Sequence, residues 1–335
     1  MLSNNEIIEL YQNIPVDDAP VEFTYSDYWK YRLTTKGVGA EIYNITSNDL
    51  ENFRKKCIVI TNGPCKKVSI FKKGSIFKNV YYYLYTQHYF YQQYYYVKTE
   101  YPEIIDIEEN DVGHPYTFKI KGKKLCERTM RYYHHIRVIE QFAKMDRNRK
   151  HIIVEIGPGY GGMMKLMKDR MPKSTIIILD LPELLTLSTF YLTRSFPQSK
   201  FAVYKDFQEL NVITENKLAE YDFVFLPAWQ IYKLPEKSID LFINVGSMDE
   251  MNKEMVSYYF KQIKKKCKCR GVFFNSNRKE KVVDGEVVKT YKFFDENEWE
   301  FILHDPDPMF SHMNKVHPFS SIMQQEVKRV MARLE

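Results

Sequence analysis

The chain has 335 residues, enough for two domains or for one large domain with an elaboration, and enough to bury a core without metal or disulfide staples. Lys and Arg number 49 against 43 Asp and Glu, and the resulting +6 excludes a histone-like tail protein and makes no case for nucleic acid. A hydrophobic content of 44% with 27% charged residues excludes a disordered chain. Met1-Leu-Ser-Asn-Asn-Glu6 has neither a basic region nor an apolar run, so no signal peptide is expected. Cys57, Cys65, Cys126, Cys267 and Cys269 include no Cys-x-x-Cys and are too sparse for a disulfide scaffold; free thiols fit a cytoplasmic protein. Residues 1–110 are rich in Tyr, Asn and Lys. They read as an accessory or substrate-binding unit, α+β or mainly helical. A strand is expected at Cys57–Ile60. The uncharged stretch 79–97 is dominated by Tyr and holds Gln87, His88, Gln92 and Gln93. It is too polar to span a bilayer and reads as one helix, with Tyr81, Tyr85, Tyr89 and Gln92 along one side. That side either packs on the second unit or faces a substrate. Residues 111–115 read as a turn.

From 111 to 335 the pattern changes. A helix is expected at 128–144, then a strand at 151–156, a helix at 163–170 and a strand at 174–179. A helix at 184–196, strands at 223–226 and 239–245, a helix at 252–266 and a strand at 271–274 follow. This alternation implies an α/β domain with a doubly wound, mostly parallel sheet and helices on both faces.

Glycine is scarce at 13 residues, yet four fall in Gly157-Pro-Gly-Tyr-Gly-Gly162. The window follows a buried strand and opens a helix, so backbone can approach a ligand at the carboxyl end of the first strand. Asp180 closes the second strand, where a carboxylate can accept from both ribose hydroxyls. A dinucleotide and S-adenosyl-L-methionine both fit that geometry. Glu155, two residues before the first glycine, separates them. It would repel a pyrophosphate, whereas the ammonium and sulfonium of S-adenosyl-L-methionine are cations that a carboxylate favours.

A further loop, Pro227 to Pro235 before the strand at 239–245, has the spacing of an adenine-contacting segment, with Ala228 and Trp229 against the base. A competing register uses Asp206 to accept from the adenine amino group.

These residues resemble a family. Val154-Glu-Ile-Gly-Pro-Gly-Tyr-Gly-Gly162 is similar to motif I of class I S-adenosylmethionine-dependent methyltransferases. Leu179-Asp-Leu-Pro-Glu-Leu184, Phe190-Tyr-Leu192, Asp240-Leu-Phe-Ile-Asn244, Ser247-Met-Asp-Glu-Met251 and Tyr258-Tyr-Phe260 resemble, in that order, segments of a bacterial group of sugar O-methyltransferases. The resemblance covers about 111–280, and Pro158 stands where the group often has Gly. It implies a Rossmann-like fold, S-adenosyl-L-methionine as cofactor and a sugar or glycan hydroxyl as acceptor. Glu155, Gly157, Gly159, Tyr160, Gly161, Asp180, Leu181 and Asn244 are the implied cofactor-binding positions, beside Ala228 and Trp229.

Methylation of a hydroxyl needs a base. Glu250 and Asp249, beyond the strand ending at Val245, are the first candidates, each with helix capping as the competing role. His134, on the helix before the first strand, is a third, with a packed histidine as its alternative. The stretch 305–318 reads as a Pro-rich loop over the acceptor site. No metal is expected in the site, although His304, Asp305 and Asp307 have divalent-cation ligand chemistry. Cys267-Lys-Cys269 lacks a neighbouring His and reads as a surface pair. The basic run 261–270 reads as a solvated helix end or as a patch for a phosphate-linked glycan. Exposed aromatics of the first unit suit a homodimer interface.

Competing functions are a methyltransferase for another small molecule or for nucleic acid, and a non-enzymatic glycan-binding module. No Pro-Pro occurs anywhere, so the loop of exocyclic-amine methyltransferases is missing. Walker, His-Glu-x-x-His and Gly-x-Ser-x-Gly patterns are also absent.

Overall fold

The computed structural model describes residues 2–12, 14, 19, 23, 26, 29–30, 42, 44–56, 76–316 and 326–335, with backbone alone for 76–83. Cys57, Cys65, the strand expected at 57–60 and His317 lie outside them.

The N-terminal elements described are helical: α1 (Asn4–Gln12), two short turns at Ser47–Glu51 and Phe53–Lys56, and α2 (Ile76–Glu100). The Tyr-rich stretch is therefore one helix, as its pattern predicts, with Tyr89, Phe90, Tyr94 and Val97 buried. No helix among the described residues is long and apolar enough to cross a membrane. A small hairpin, Phe118–Ile120 with Lys123–Leu125, leads to α3 (Glu127–Ala143).

The alternating half begins with β1 (Ile152–Ile156), whose five residues are all buried and mostly β-branched, as a central parallel strand requires. Then follow α4 (Gly162–Arg170), β2 (Thr175–Asp180), α5 (Pro182–Ser195), β3 (Phe201–Val203), β4 (Phe223–Pro227), β5 (Ile239–Val245), α6 (Lys253–Lys266) and β6 (Cys267–Arg278). Pro182 starts α5, where a missing N–H costs nothing. Asn252 caps α6, its side chain accepting from the Met255 N–H, and three lysines end it. A second hairpin, Lys281–Val283 with Glu286–Val288, precedes β7 (Trp299–Pro306), α7 (Pro308–Val316) and β8 (Val327–Leu334).

One eight-stranded sheet results, in the order β7-β8-β6-β5-β1-β2-β4-β3. β1 pairs in parallel with β2 and β5, β4 with β2 and β3, and β5 with β6. Only β8 runs against its neighbours, β6 and β7. The mostly parallel α/β sheet expected from the sequence is present. Three-residue β3 is too short to show as a pattern. Over 305–316 the expected Pro-rich loop is instead the end of β7 followed by helix α7, and 317–318 lie outside the described residues.

α1 packs on α5, with the Tyr11 hydroxyl 2.8 Å from the Thr189 hydroxyl. Its Ile7 and Tyr11 belong to the same hydrophobic core as Ile153, Leu185 and Phe242.

Candidate functional site

From β1 the chain moves outward through β2 to β4 and β3, then returns to the other flank of β1 for β5 and β6. The reversal falls at the carboxyl ends of β1 and β5, the place where open α/β sheets take ligands. The glycine loop leaves β1 at that point. The Gly157 N–H donates to the Leu179 carbonyl at 2.8 Å, and the Gly159 N–H to Asp180 Oδ2 at 2.9 Å. Gly157, Gly159 and Gly161 have φ of 70°, 63° and 81°, the left-handed region that glycine enters without strain. A Cβ at Gly157 would collide with Ser247, whereas one at Gly159 would meet nothing within 4 Å. The loop is thus packed underneath and open above its middle glycine. Tyr160 turns its ring back into the protein, against Gly162, and is 2% exposed.

Two carboxyl groups lie below the loop. Glu155 and Asp180 are both buried, on neighbouring strands. Asp180 accepts from the N–H groups of Gly159 and Leu181, at 2.9 and 2.8 Å. A carboxylate has about four acceptor positions, so it can still take ligand hydroxyls. Glu155 Oε2 is buried without a hydrogen-bond partner. Burial pushes both carboxyls up to about 8, and the Asp180 charge adds to the effect on Glu155. A cation placed beside them would reverse that shift.

Asp180 pairs in register with Pro227, so Ala228 and Trp229 follow β4 directly beside it. Trp229 is fully buried, its Nε1–H has no acceptor, and Phe23 packs edge-on at 5.1 Å. Asp206 lies one strand further out and spends its carboxylate locally, on the Val203 N–H at 2.7 Å.

The loop after β5 is held by amides. Asn244 donates to the Ile156 carbonyl at 2.8 Å and to Ser247 Oγ at 2.5 Å. Its Oδ1 accepts from the Met248 N–H and from Asn277 Nδ2. This amide is committed to joining β1, β5 and β6. Asp249 is 1% exposed and grips Arg278 through Nε at 2.5 Å, Nη2 at 3.0 Å and the backbone N–H at 3.0 Å. Glu250 is partly exposed, 3.3 Å from Arg278 and 3.6 Å from Lys281, and its charge is felt at Asp180. Neither acid caps α6, because Asn252 does.

No family model and no curated protein matches the chain. Solved structures with a related outline include one described as a sarcosine dimethylglycine methyltransferase from Galdieria sulphuraria, at 11% identity and a TM-score of 0.44, over 71% of this chain and 97% of that one. Others are geranyl diphosphate C-methyltransferase from Streptomyces coelicolor and 1,6-didemethyltoxoflavin-N1-methyltransferase from Burkholderia thailandensis. Each is 10% identical at a TM-score of 0.40, over 61% of this chain and 76% and 77% of theirs.

His134 lies in an aromatic layer beside Tyr96, Tyr101 and His135. Neither ring nitrogen has a partner, and burial pushes the imidazole down to about 3. His135 Nε2 instead meets Asp307 Oδ2 at 3.0 Å, which also accepts from Ser276. Asp305 pairs with Arg329, and His304 stacks on Phe301. The three groups with cation-ligand chemistry therefore have separate partners. Among the described residues no cluster could hold a metal ion. Cys267 and Cys269 lie on one strand, the first buried and the second exposed. In the basic run, Lys266 is buried and donates to the Tyr232 carbonyl at 2.9 Å.

Arg278, and Arg54 with its partner Glu109, escape sequence reading. Arg54 and Glu109 are ion-paired at 3.0 Å across 55 residues, and no local pattern links them.

Proposed function

We propose that this chain is an S-adenosyl-L-methionine-dependent O-methyltransferase acting on a hydroxyl of a sugar or glycan. The observation that carries the cofactor reading is Glu155. Its Oε2 is buried without a partner below a glycine loop that is open above Gly159. A ligand's ammonium donates to that oxygen and draws off the carboxyl's proton, whereas a pyrophosphate brings it neither a donor nor a positive charge. Asp180 has capacity left for the ribose hydroxyls, and Ala228 and Trp229 stand beside it for the base. The buried Trp229 N–H offers one further donor.

When bound, the cofactor supplies an electrophilic methyl on a sulfonium that departs as a neutral thioether. The protein's part is to align the acceptor, keep water out and take the hydroxyl proton. Glu250 suits the proton better than Asp249, whose oxygens are locked on Arg278. Arg278 and Lys281, at 3.3 and 3.6 Å, orient the Glu250 carboxylate. The sugar or glycan acceptor rests on the motif resemblance alone.

Isothermal titration with S-adenosyl-L-methionine, S-adenosylhomocysteine and NAD tests the reading, with Asp180→Ala as control. Micromolar binding of the adenosyl ligands, lost in the variant, supports it and opens a screen of nucleotide sugars as acceptors. Absence of adenosyl binding sinks it, and binding of NAD alone would overturn the role given to Glu155.

A further inference from the structure

The middle of the glycine loop is anchored from a distance. Gly159 and Gly161, both in the left-handed region, flank Tyr160, so the position of its ring decides how the backbone between them runs. That ring sits in a cage. Phe53 approaches at 5.7 Å, Tyr191 at 4.9 Å and Tyr132 at 6.3 Å. The Arg54 guanidinium lies 5.2 Å from the Tyr160 ring centroid and 5.5 Å from that of Tyr191. Such cation–π contacts strengthen when desolvated, and Arg54 is 7% exposed.

Arg54 is itself fixed. Its Nη1 donates to Glu109 at 3.0 Å, and its backbone N–H to the Gly113 carbonyl at 3.0 Å. Glu109 also accepts from the Thr129 hydroxyl and from Cys126 Sγ, at the start of α3. At Gly113 a Cβ would lie 2.3 Å from Phe53, so the chain closes tightly over this cage. A planar, permanently charged group that can stack and pair at once is required here, and lysine offers no flat face.

We propose that Arg54 is a positioning residue that holds the glycine loop in its ligand-ready backbone through Tyr160. The proposal rests on the methyltransferase reading only for the identity of the ligand. It places part of the cofactor site's control in the N-terminal region, on a buried residue.

The test uses Arg54→Lys, the neutralised pair Arg54→Met with Glu109→Gln, Tyr160→Ala, and the combination of Arg54→Lys with Tyr160→Ala. Removing both charges avoids stranding a buried carboxylate, which would threaten the fold. Hydrogen exchange of the peptide spanning 157–164 needs no ligand. It should accelerate about tenfold in the neutralised pair, with β1 and β2 unchanged; an unchanged loop overturns the proposal. S-adenosylhomocysteine should bind about tenfold more weakly to Arg54→Lys. That loss should vanish on the Tyr160→Ala background, because the arginine then has no ring to act through. Additive losses would mean that Arg54 does not act through Tyr160 and would overturn the proposal. A wild-type protein that binds no adenosyl ligand would sink the methyltransferase reading, while the exchange data would still decide the role of Arg54.

Discussion

A Cβ on Gly157 would lie 2.2 Å from Ser247 Oγ, so the loop after β1 and the loop after β5 close on each other with no room for a side chain. Ser247 in turn donates to the Ile156 carbonyl at 3.0 Å. Gly157→Ala must therefore displace that hydroxyl as well as adopt φ of 70°. Gly159→Ala carries only the backbone cost, about 1–2 kcal/mol. Urea unfolding should show Gly157→Ala to be clearly the less stable of the two. Both should lose adenosyl binding, the second because its methyl occupies the open space above the loop.

The Glu155 and Asp180 carboxyls give a pH dependence of definite sign. Both are raised by burial to about 8, so the folded protein holds protons that the unfolded chain has released from about pH 4 upward. Their contribution to stability is intact below that pH and is lost as pH rises towards 8, by up to about 1.4 kcal/mol per pH unit for each carboxyl. Glu155→Gln should flatten the slope and raise the melting temperature at alkaline pH. In the wild type, a cationic ligand should release protons on binding below pH 8. Calorimetry in buffers of different ionisation enthalpy reads that release, and equal heats after buffer correction would count against it.

Asp249 and Glu250 should separate cleanly. Asp249→Asn breaks a buried pair with Arg278 and should cost about 3–5 kcal/mol of stability. Glu250→Gln disturbs a partly exposed pair and should cost under about 1 kcal/mol. If Glu250 takes the acceptor proton, its variant should keep cofactor affinity and lose about 10²–10⁴ in methyl transfer. Chemical denaturation and single-turnover transfer, run on both variants, check the two halves.

Asp307 should show the opposite pH sign to Glu155. The His135 and Ser276 contacts hold its carboxyl well below the usual range despite burial, which pushes it up. Its Oδ1 also accepts from the Met309 and Phe310 N–H groups at the start of α7. Asp307→Asn should destabilise the fold at neutral pH by about 3–5 kcal/mol. The gap from wild type should shrink as pH falls through and below about 4, where the wild-type carboxylate loses its advantage over the unfolded chain. Denaturation at pH 7 and at about pH 2 measures the gap.

What was legible in the sequence was local. Gly157, Gly159 and Gly161 stand out because three left-handed residues in five need glycine, and Asp180 because a carboxylate closes a run of β-branched residues. The strand and helix order from 151 to 274, β3 excepted, followed from hydrophobic period in the same way. Partners far apart in the chain were not legible. Asp249 reads as a candidate base until β6 brings Arg278 against it, 29 residues on. His134 and His135 are equivalent in sequence, yet α3 turns only the second towards Asp307, 172 residues away. Strand order was equally hidden: β4 lies between β2 and β3, and this is why Ala228 and Trp229, and not Asp206, flank Asp180. The chain by itself determined which backbone conformations and which carboxylates are available at the site. Only tertiary packing decided which of those carboxylates are already neutralised by a cation and which, like Glu155, are buried with an oxygen unmet, because burial and pairing depend on groups that meet only when the sheet is assembled.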